Sequence, residues 1–551
     1  MNKIKITVKD NVIEVDKGIR CYEVLKKYGF SKDIPIVLVR VNGKLCELST
    51  VLEADGSIEF IDISSKLGMM CYMRTLQFVL IKATEELFKD SKITIEHSLS
   101  KGLFGEISKS PKLGIDDIYL IKEKMKDIIE QDIRITKSLY DRKDAIELFK
   151  AKAMEDKVKL LQFVTQESLT IYELDGNIDY FYGPLAYSTG VLKYFDLIYY
   201  DPGFILRFPT IDKPTGIPRF EEHRKLAKIF YEAEQWGNIL GVEDVGSLNE
   251  IIKEGDIVTL IRVAEALHEK KIAYIADHIQ EKRAVKLILI AGPSSSGKTT
   301  FSKRLGIQLR VNGLVPIPIS LDDYFVNRDA TPKDEFGDYD FESIYALDLP
   351  LFNEHLEMLL SGKETEIPTY NFKTGQRDWN GHKMKLPENG VLIVEGIHGL
   401  NEKLTASIPH DQKFKIYISP LTQINLDDHN RIATTDVRMI RRIVRDYLSR
   451  GYGVEDTLKM WPSIRRGEDR NIFIFQEDAD AMFNSALIYE LAVLKKYALA
   501  ELYKIQPNSS VYDEARRLIN FLHYFKEVDK DFVPTNSLVR EFIGGSCFYQ
   551  Y

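Results

Sequence analysis

The feature that most constrains this chain is an apolar run followed by a glycine-rich turn, KLILIAGPSSSGKTT, over residues 286–300. A strand, then G-x-x-x-x-G-K-T, then a helix is the order that a phosphate-binding loop requires. Gly292 and Gly297 permit backbone angles that a side chain would block, so N–H groups can turn toward phosphate oxygens. Lys298 can reach the β- and γ-phosphates, and the Thr299 hydroxyl is placed to ligate Mg²⁺. A chance glycine turn is the competing interpretation, but the strand and helix signals on either side favour a nucleoside triphosphate site. The predicted nucleotide-binding residues are Gly292, Pro293, Ser294, Ser295, Ser296, Gly297, Lys298, Thr299 and Thr300.

Apolar runs alternate with helical patterns from Val285 onward, which predicts an α/β fold with a parallel sheet and helices on both faces. The predicted strands are Leu287–Ala291, Val315–Ser320, Val391–Glu395 and Phe414–Ser419. The predicted helices are Lys298–Val311, Asp348–Ser361, Asp436–Arg450 and Asn484–Leu502. Active groups in such sheets lie at the carboxyl ends of the strands.

Acidic residues follow two of these strands. Asp322 and Asp323 come directly after the second strand, where one carboxylate could accept a proton from a substrate hydroxyl and help to order Mg²⁺. The alternative is that these aspartates only cap a turn. Glu395 ends the third strand after four apolar residues, the position of a Walker B acid that holds Mg²⁺ directly or through water. We predict Asp322 as the general base and Thr299, Glu395 and Asp322 as the metal site.

A later segment carries Arg438, Arg441, Arg442 and Arg445, which fall on one face of a helix. A solvated charged face is the usual reading, but such faces normally mix both signs. Guanidinium groups on one stripe repel each other unless an anion faces them, so the pattern favours a lid that closes on the triphosphate.

The length of 551 residues is too great for one core, and the formal net charge of −8 argues against a protein that coats nucleic acid. Cys21, Cys46, Cys71 and Cys547 are scattered, so neither a disulfide framework nor a zinc knuckle is indicated. The first ten residues lack the apolar core of a signal peptide, and no apolar run approaches membrane-spanning length. A cytoplasmic protein that does not contact membranes is the expectation.

The N-terminal region alternates like strands, with a short helical stretch near Tyr22–Lys27 and an Asn42-Gly43 hairpin signal. This order predicts a small β-grasp (ubiquitin-like) module followed by a second α+β domain. Apolar residues then recur at helical spacing up to the strand at residue 287. The expected division is 1–63 β-grasp, 64–215 α+β, 216–283 helical connector, 284–500 P-loop domain and 501–551 C-terminal helical tail.

The order of motifs over about 285–500 resembles the phosphoribulokinase/uridine kinase family. The segments that carry the resemblance are Gly292–Thr300, Ser320–Phe325, Tyr339–Glu342, Ile367–Phe372, Val394–Ile397 and Arg441–Asp446. The resemblance implies an ATP- and Mg²⁺-dependent kinase in which Asp322 takes the proton of a sugar 5′-hydroxyl, Arg442 and Arg445 are lid arginines, and Glu395 is a Mg²⁺ partner. Tyr370, Phe372 and Arg377 match substrate-binding positions of the family.

Departures from that family cluster where the nucleoside binds. Glu342 stands where uridine kinases hold the ribose with an aspartate, and Gly375 stands where a histidine reads the pyrimidine. Tyr452 and Met460 replace a lid arginine and a glutamine that touch the nucleoside. A site that hydrogen-bonds a base depends on its polar groups, and several are absent here. We therefore expect phosphoryl transfer to a nucleoside or a similar sugar hydroxyl, with the acceptor open.

The first two domains resemble the TGS and editing domains of threonyl-tRNA synthetases, through Arg74–Leu80 and Tyr180–Leu185. The editing enzymes carry two histidines in the first segment and a cysteine and a histidine in the second. The matching positions here are Arg74, Phe78, Phe181 and Leu185, none of which can serve as a His or Cys ligand. The resemblance therefore implies a domain that cannot edit and that supports or regulates its neighbour; an unrelated α+β domain is the alternative.

The hypotheses left open differ in what the N-terminal half does. The first is a nucleoside kinase, and the second is a regulatory NTP-binding protein whose first two domains bind tRNA, a ribosome or a nucleotide effector. A GTPase version of the second would need an Asn-Lys-x-Asp guanine reader, and the sequence has none. A third makes the N-terminal half a scaffold that sets a homo-oligomeric state.

Overall fold

The computed structural model describes residues 3–9, 11–28, 33–335, 337, 339–371 and 373–549. The chain divides into two compact units. The first comprises Met1–Glu222, Asp244–Ser247 and Asn425–Ile432, and the second comprises His223–Glu243, Leu248–Ile424 and Ala433–Tyr551. The predicted division into five parts stays a prediction. Among the described residues no helix combines the length and apolar character needed to cross a membrane.

The first unit begins with a five-stranded sheet in the order β2-β1-β5-β3-β4, where β1 is antiparallel to β2 and parallel to β5. Its elements are β1 Lys3–Val8, β2 Asn11–Asp16, α1 Cys21–Tyr28, β3 Ile36–Val41, β4 Lys44–Glu47 and β5 Gly56–Asp62. Alternate residues of β1 are buried, since Ile4, Ile6 and Val8 face the core while Lys5 and Thr7 between them are exposed. The predicted β-grasp arrangement is confirmed.

The rest of the first unit is an α+β region with a four-stranded sheet, β11-β12-β7-β6, and a three-stranded sheet, β10-β9-β8. Its elements are α2 Lys66–Leu87, β6 Lys92–Leu99, β7 Gly102–Ser108, α3 Ile115–Glu130, β8 Ile135–Asp141, α4 Arg142–Ala151, α5 Glu155–Phe163, β9 Ser168–Leu174, β10 Asn177–Tyr180, β11 Asp196–Tyr200 and β12 Gly203–Arg207. Helix α2 starts at Ser65, whose side chain accepts a hydrogen bond from the Gly68 amide.

A fully buried ionic group holds Asn425–Ile432 within this unit. Lys157 Nζ lies 3.0 Å from Asp179 Oδ1 and 3.1 Å from Asp427 Oδ1. His429 Nδ1 lies 2.6 Å from Asp179 Oδ2. Asp427 also accepts hydrogen bonds from the backbone amides of His429 and Asn430. Each buried charge therefore faces an opposite charge or a hydrogen-bond donor, as burial of charge requires.

The second unit is built on a five-stranded parallel sheet in the order β14-β19-β13-β20-β21. Its strands, including two short hairpin pairs, are β13 Leu287–Ala291, β14 Val315–Ser320, β15 Thr365–Glu366, β16 Thr369–Asn371, β17 Gln376–Asp378, β18 Lys383–Met384, β19 Gly390–Glu395, β20 Lys413–Ser419 and β21 Ala481–Asn484. Every residue of β13 is buried, which is typical of a central parallel strand.

The helices from residue 224 onward are α6 Arg224–Leu240, α7 Val245–Glu254, α8 Ile257–Glu281, α9 Lys298–Val311, α10 Leu349–Leu360, α11 Thr434–Arg445, α12 Val454–Asn471, α13 Glu490–Leu502, α14 Tyr512–Leu522 and α15 Arg540–Ile543. Phe352 and Leu356 of α10 share a core with Leu392 of β19. Gly306 of α9 lies against Ile393, the next residue along that strand. Because successive strand residues face opposite sides, helices cover both faces of the sheet, as predicted.

The C-terminal boundaries correct one prediction. Asn484–Leu502 is not one helix, because Asn484 ends strand β21 and the helix starts only at Glu490. The Asn484 side chain bonds both the amide and the carbonyl of Leu421, which fixes the strand end. The predicted helix over Asp436–Arg450 is α11 followed by a π-helical turn, Asp446–Arg450.

Candidate active site

The loop between β13 and α9 has the backbone that the sequence predicted. Gly297 has φ 86°, in the left-handed region. A Cβ on Gly292 would lie 2.0 Å from the Ile418 carbonyl oxygen, so only glycine fits. The hydroxyl oxygens of Ser295 and Ser296 are buried, and neither has a hydrogen-bond partner among the described residues. Buried polar groups normally have partners, so this loop has polar capacity for a ligand.

Lys298 lies folded against its own loop. Its Nζ is 3.0 Å from the Gly292 carbonyl oxygen and 3.2 Å from that of Pro293. Burial lowers the pKa of Lys298, and the charges of Glu395 and Asp322 oppose that shift. The ammonium group is therefore within the electrostatic reach of both predicted acids.

The predicted acids come from neighbouring strands. Ser320 of β14 aligns with Glu395 of β19, so Asp322 leaves β14 beside the end of β19. Thr299 Oγ1 donates a hydrogen bond to Glu395 Oε1 over 3.2 Å. Burial and then the Asp322 charge raise the pKa of Glu395 to about 7. The structure thus brings Lys298, Thr299, Asp322 and Glu395 together at the carboxyl edge of the sheet.

This oxygen-rich set suits a hard cation. Two carboxylates and one hydroxyl match Mg²⁺, which usually takes one or two protein carboxylates together with substrate phosphates and waters. Burial raises the pKa of Glu395 and the Asp322 charge raises it further, and a bound cation would relieve that repulsion. Among the described residues no group of three or more His, Cys, Asp or Glu side chains is placed to hold a metal ion.

Asp323 has a different task from Asp322. Its Oδ1 accepts a hydrogen bond from the Tyr370 amide over 3.2 Å, which fixes the β16–β17 hairpin. Burial raises the pKa of Asp323. Of the two neighbouring aspartates, Asp323 therefore serves the fold through a backbone contact.

The four arginines of α11 separate into two pairs. Arg438 and Arg441 are fully buried and paired with Glu468 and Glu490, and they contact the loop through backbone oxygens. The prediction that all four face the triphosphate is therefore wrong for these two, because their charges are already neutralised by buried carboxylates.

Arg442 and Arg445 are the second pair. Arg442 Nη1 donates to Ser294 Oγ over 2.8 Å, and its Nε lies 3.0 Å from Asp446. Arg445 Nε lies 3.6 Å from Asp446, and its buried Nε and Nη2 have no hydrogen-bond partner among the described residues. Burial lowers the pKa of Arg445 to about 10. This pair keeps donor capacity, as the predicted lid arginines require.

Three of the four residues predicted to bind the acceptor are described by the structure, and their surroundings are as follows. Burial, and then the Glu468 charge, raise the pKa of Glu342 to about 7. Tyr370 is buried near Arg328, whose charge opposes the rise in its pKa that burial causes. Arg377 pairs with Asp348, the cap of α10, through Nη1 and Nη2 at 3.0 Å each. Phe372 lies outside the described residues. The assignment of all four to substrate stays a prediction.

Sequence reasoning missed two carboxylates of the loop. Glu468, on α12, accepts a hydrogen bond from the Ser294 amide over 2.9 Å. Glu541, near the C-terminus, accepts one from the Thr300 amide over 3.2 Å. Neither residue has a local motif, and both are brought to the loop by packing. The one sequence feature that could have pointed to Glu468 is its position in the amphipathic helix α12, which follows the arginines of α11.

The positions of the first unit that match editing residues form a packed cluster. Phe78 and Phe181 are buried with ring centroids 5.4 Å apart. Leu185 is buried, and the Arg74 guanidinium donates to the Pro184 carbonyl over 2.9 Å. The four positions thus hold two packed aromatic rings, a buried leucine and an arginine that is bonded to a backbone carbonyl.

Comparison with known proteins agrees with the geometry of the second unit. Residues 287–488 match the Phosphoribulokinase / Uridine kinase family. The match to this kinase family covers the loop, both acids and the arginines. Solved structures similar to this chain include one described as a possible uridine kinase from Bacillus stearothermophilus, with 19% identity, a TM-score of 0.26, and coverage of 39% of this chain and 97% of that one. Another is D-glycerate 3-kinase from Cryptococcus neoformans var. grubii, with 16% identity, a TM-score of 0.21, and coverage of 50% and 88%.

The N-terminal region is similar to threonine–tRNA ligases. The ligase of Caldanaerobacter subterraneus subsp. tengcongensis is 29% identical over 202 residues, which cover 36% of this chain and 31% of the ligase. That of Rickettsia canadensis is 27% identical over 197 residues, or 35% and 31% of the two chains. The chain therefore spans about a third of the length of these curated relatives.

Proposed function

We propose that this protein is an ATP-dependent kinase that transfers the γ-phosphoryl group to a hydroxyl of a nucleoside or a similar sugar. The observation that carries the proposal is the meeting of Lys298, Asp322 and Glu395 at one sheet edge, with Arg442 and Arg445 on the adjoining helix. The match of residues 287–488 to a kinase family supports the same reaction class.

The chemistry divides among these side chains. Asp322 accepts the proton of the attacking hydroxyl, and Lys298 swings from the Gly292 carbonyl to the phosphates. Arg442 and Arg445 donate to oxygens on which negative charge is concentrated during transfer. Thr299, Glu395 and Asp322 would hold Mg²⁺, which supplies charge neutralisation between the β- and γ-phosphates.

The acceptor is proposed as a class. Glu342 is a partly buried carboxyl group whose pKa is raised to about 7, and such a group hydrogen-bonds sugar hydroxyls in either protonation state. Gly375 leaves the space of a side chain to Arg328, since a Cβ there would lie 2.8 Å from the Arg328 Cβ. The edge of the substrate that a histidine contacts in uridine kinases would therefore face Gly375 and Arg328 in this protein.

A coupled assay of ADP release by the full chain, across nucleosides and simple sugars with ATP or GTP, tests the proposal. We expect turnover with at least one acceptor and its loss in Lys298→Ala. Lys303→Ala, at an exposed position five residues further along α9, is the matched control and should keep full activity. Absence of turnover on every acceptor, with nucleotide binding intact, would contradict the proposal.

A second candidate is a regulatory NTP-binding protein whose TGS-like and editing-like domains bind tRNA, a ribosome or a nucleotide effector. The similarity of the N-terminal region to threonine–tRNA ligases favours it. Filter binding of tRNA to the full chain at 50 and 200 mM salt is the test. Counterion release predicts an affinity that falls steeply with salt if phosphates are contacted, by about 10³-fold for some six contacts.

A further inference from the structure

The C-terminal tail segment, residues 537–549, forms hydrogen bonds with Thr300 at the end of the nucleotide loop. Thr300 N donates to Glu541 Oε2 over 3.2 Å, and Thr300 Oγ1 donates to the same oxygen over 2.8 Å. The Tyr549 hydroxyl lies 2.7 Å from Thr300 Oγ1. The first amide bonded inside α9 is that of Phe301, to the Gly297 carbonyl. Thr300 N–H is therefore one of the helix-start donors that have no partner within the helix.

The Glu541 carboxylate accepts hydrogen bonds at the start of α9, where a phosphate could also bind. Helix starts bind phosphate because their free N–H groups and the helix dipole both favour negative charge. Burial lowers the pKa of Lys298 and Arg445 and raises that of Glu395, and the Glu541 charge adds a smaller upward contribution to all three. Its side chain thus stands among the groups that we assign to phosphate and metal.

Packing holds that carboxylate in place. Leu538 is buried, and its Cδ2 lies 3.1 Å from where a Cβ on Gly297 would be. Phe542 is buried under the Arg441 guanidinium, 4.9 Å from ring centroid to Cζ. Glu541 itself is only 8% exposed. The tail segment is therefore seated on the loop and on α11 by both apolar and polar contacts.

We propose that the tail segment is an autoinhibitory strap, in which Glu541 holds a phosphate position of the donor nucleotide and leaves when the nucleotide binds. The inference rests on the proposed function only in that the loop binds a triphosphate. One N–H cannot serve a carboxylate and a phosphate oxygen together, and two anions a few ångströms apart repel each other. Occupancy by one therefore excludes the other.

Binding of an ATP analogue to the full chain tests the strap. Glu541→Gln keeps the size and an accepting oxygen but removes the charge. With β,γ-imido-ATP and Mg²⁺ in a calorimeter, we expect the variant to bind at least tenfold more tightly than the wild type. Glu527→Gln, at a half-exposed glutamate 3.7 Å from Lys496, is the matched control and should bind as the wild type does. Equal or weaker binding by Glu541→Gln would overturn the proposal.

Two further measurements test the strap independently of the Glu541→Gln variant. Tyr549→Phe removes one hydroxyl and should tighten binding of the analogue about threefold with an unchanged melting temperature. This variant replaces Glu541→Gln in the test if Glu541→Gln folds poorly. Unchanged binding of the analogue would count against the strap. Hydrogen exchange on the wild type should show amides of 537–549 exchanging at least tenfold faster once the analogue is bound. Amides that stay protected would mark the segment as a permanent part of the site and overturn the strap.

The outcomes separate this inference from the proposed function. Tighter analogue binding by Glu541→Gln, together with no phosphoryl transfer to any acceptor, would sustain the strap and contradict the kinase. Turnover by the wild type with the same analogue affinity in both proteins would sustain the kinase and contradict the strap.

Discussion

Two buried clusters of this chain differ in whether their side chains leave polar atoms without hydrogen-bond partners. In the first unit Phe78, Phe181 and Leu185, at positions that match editing residues, are buried apolar side chains. Arg74 donates a hydrogen bond to a backbone carbonyl. In the second unit Ser295, Ser296 and Arg445 keep buried polar atoms that have no hydrogen-bond partner among the described residues. The side chains of the first cluster pack on one another, whereas the second cluster retains buried polar atoms that a ligand could satisfy.

The largest expected effect comes from removing the proposed base. Asp322→Asn should lower kcat about 10²- to 10⁴-fold, the range typical of general acid–base catalysis, while the affinity for ATP measured without Mg²⁺ stays within about threefold. Asp411→Asn, at an exposed position far along the chain, is the control and should leave kcat unchanged. A variant with nearly full turnover would remove Asp322 from the mechanism and blur the contrast between the two clusters.

The packed cluster should respond through stability. Phe181→Ala should lower the free energy of unfolding by about 3–5 kcal/mol, because it leaves a cavity beside Phe78. Urea unfolding followed by circular dichroism measures the change. Leu139→Ala, at a side chain that is 72% exposed, should change it by no more than about 0.5 kcal/mol. Equal tolerance of both substitutions would show that the editing-like position is not closed.

The arginines of α11 allow the same comparison within one helix. Arg445→Lys should lower kcat about 10- to 100-fold, as expected for the loss of a charge-assisted hydrogen bond worth 1.5–3 kcal/mol, with little change in melting temperature. Arg441→Lys should instead mainly lower the melting temperature, because it disturbs a buried pair with Glu490. Steady-state kinetics and thermal melts on both variants decide the matter. The reverse pattern would exchange the two roles.

The smallest effect concerns pH. The pKa of Glu342 is raised to about 7 from 4.5, so its protonated form stabilises the fold; that contribution is complete below pH 4.5 and is lost as the pH rises through 7. Glu342→Gln should therefore flatten the decline in stability between pH 5 and 8, by about 1 kcal/mol after allowance for solvent screening. Parallel stability curves for the two proteins would contradict the raised pKa.

Much of the second unit could be predicted because its signals are local. The helix Lys298–Val311 and the strands Leu287–Ala291 and Val315–Ser320 have the predicted bounds, since an apolar run or a glycine turn fixes each one. The placement of Glu468 and Glu541 could not be predicted, because only tertiary packing brings α12 and the tail segment to the loop. Likewise, charge pattern alone could not separate Arg441 from Arg445, since the difference lies in the buried carboxylate Glu490.

The first unit includes Asn425–Ile432, a segment far along the chain, and this limits where the chain can be cut or recombined. A cut near residue 284 would leave Lys157 and Asp179 on one piece and Asp427 and His429 on the other. The second piece would then carry Asp427 without Lys157 and His429 without Asp179, whereas the first would keep the Lys157–Asp179 pair alone. Breaking such a buried pair costs about 3–5 kcal/mol. Recombination that exchanged only one of the two pieces would therefore leave the segment Asn425–Ile432 without the partners that it has in the first unit, unless the incoming piece supplied matching charges.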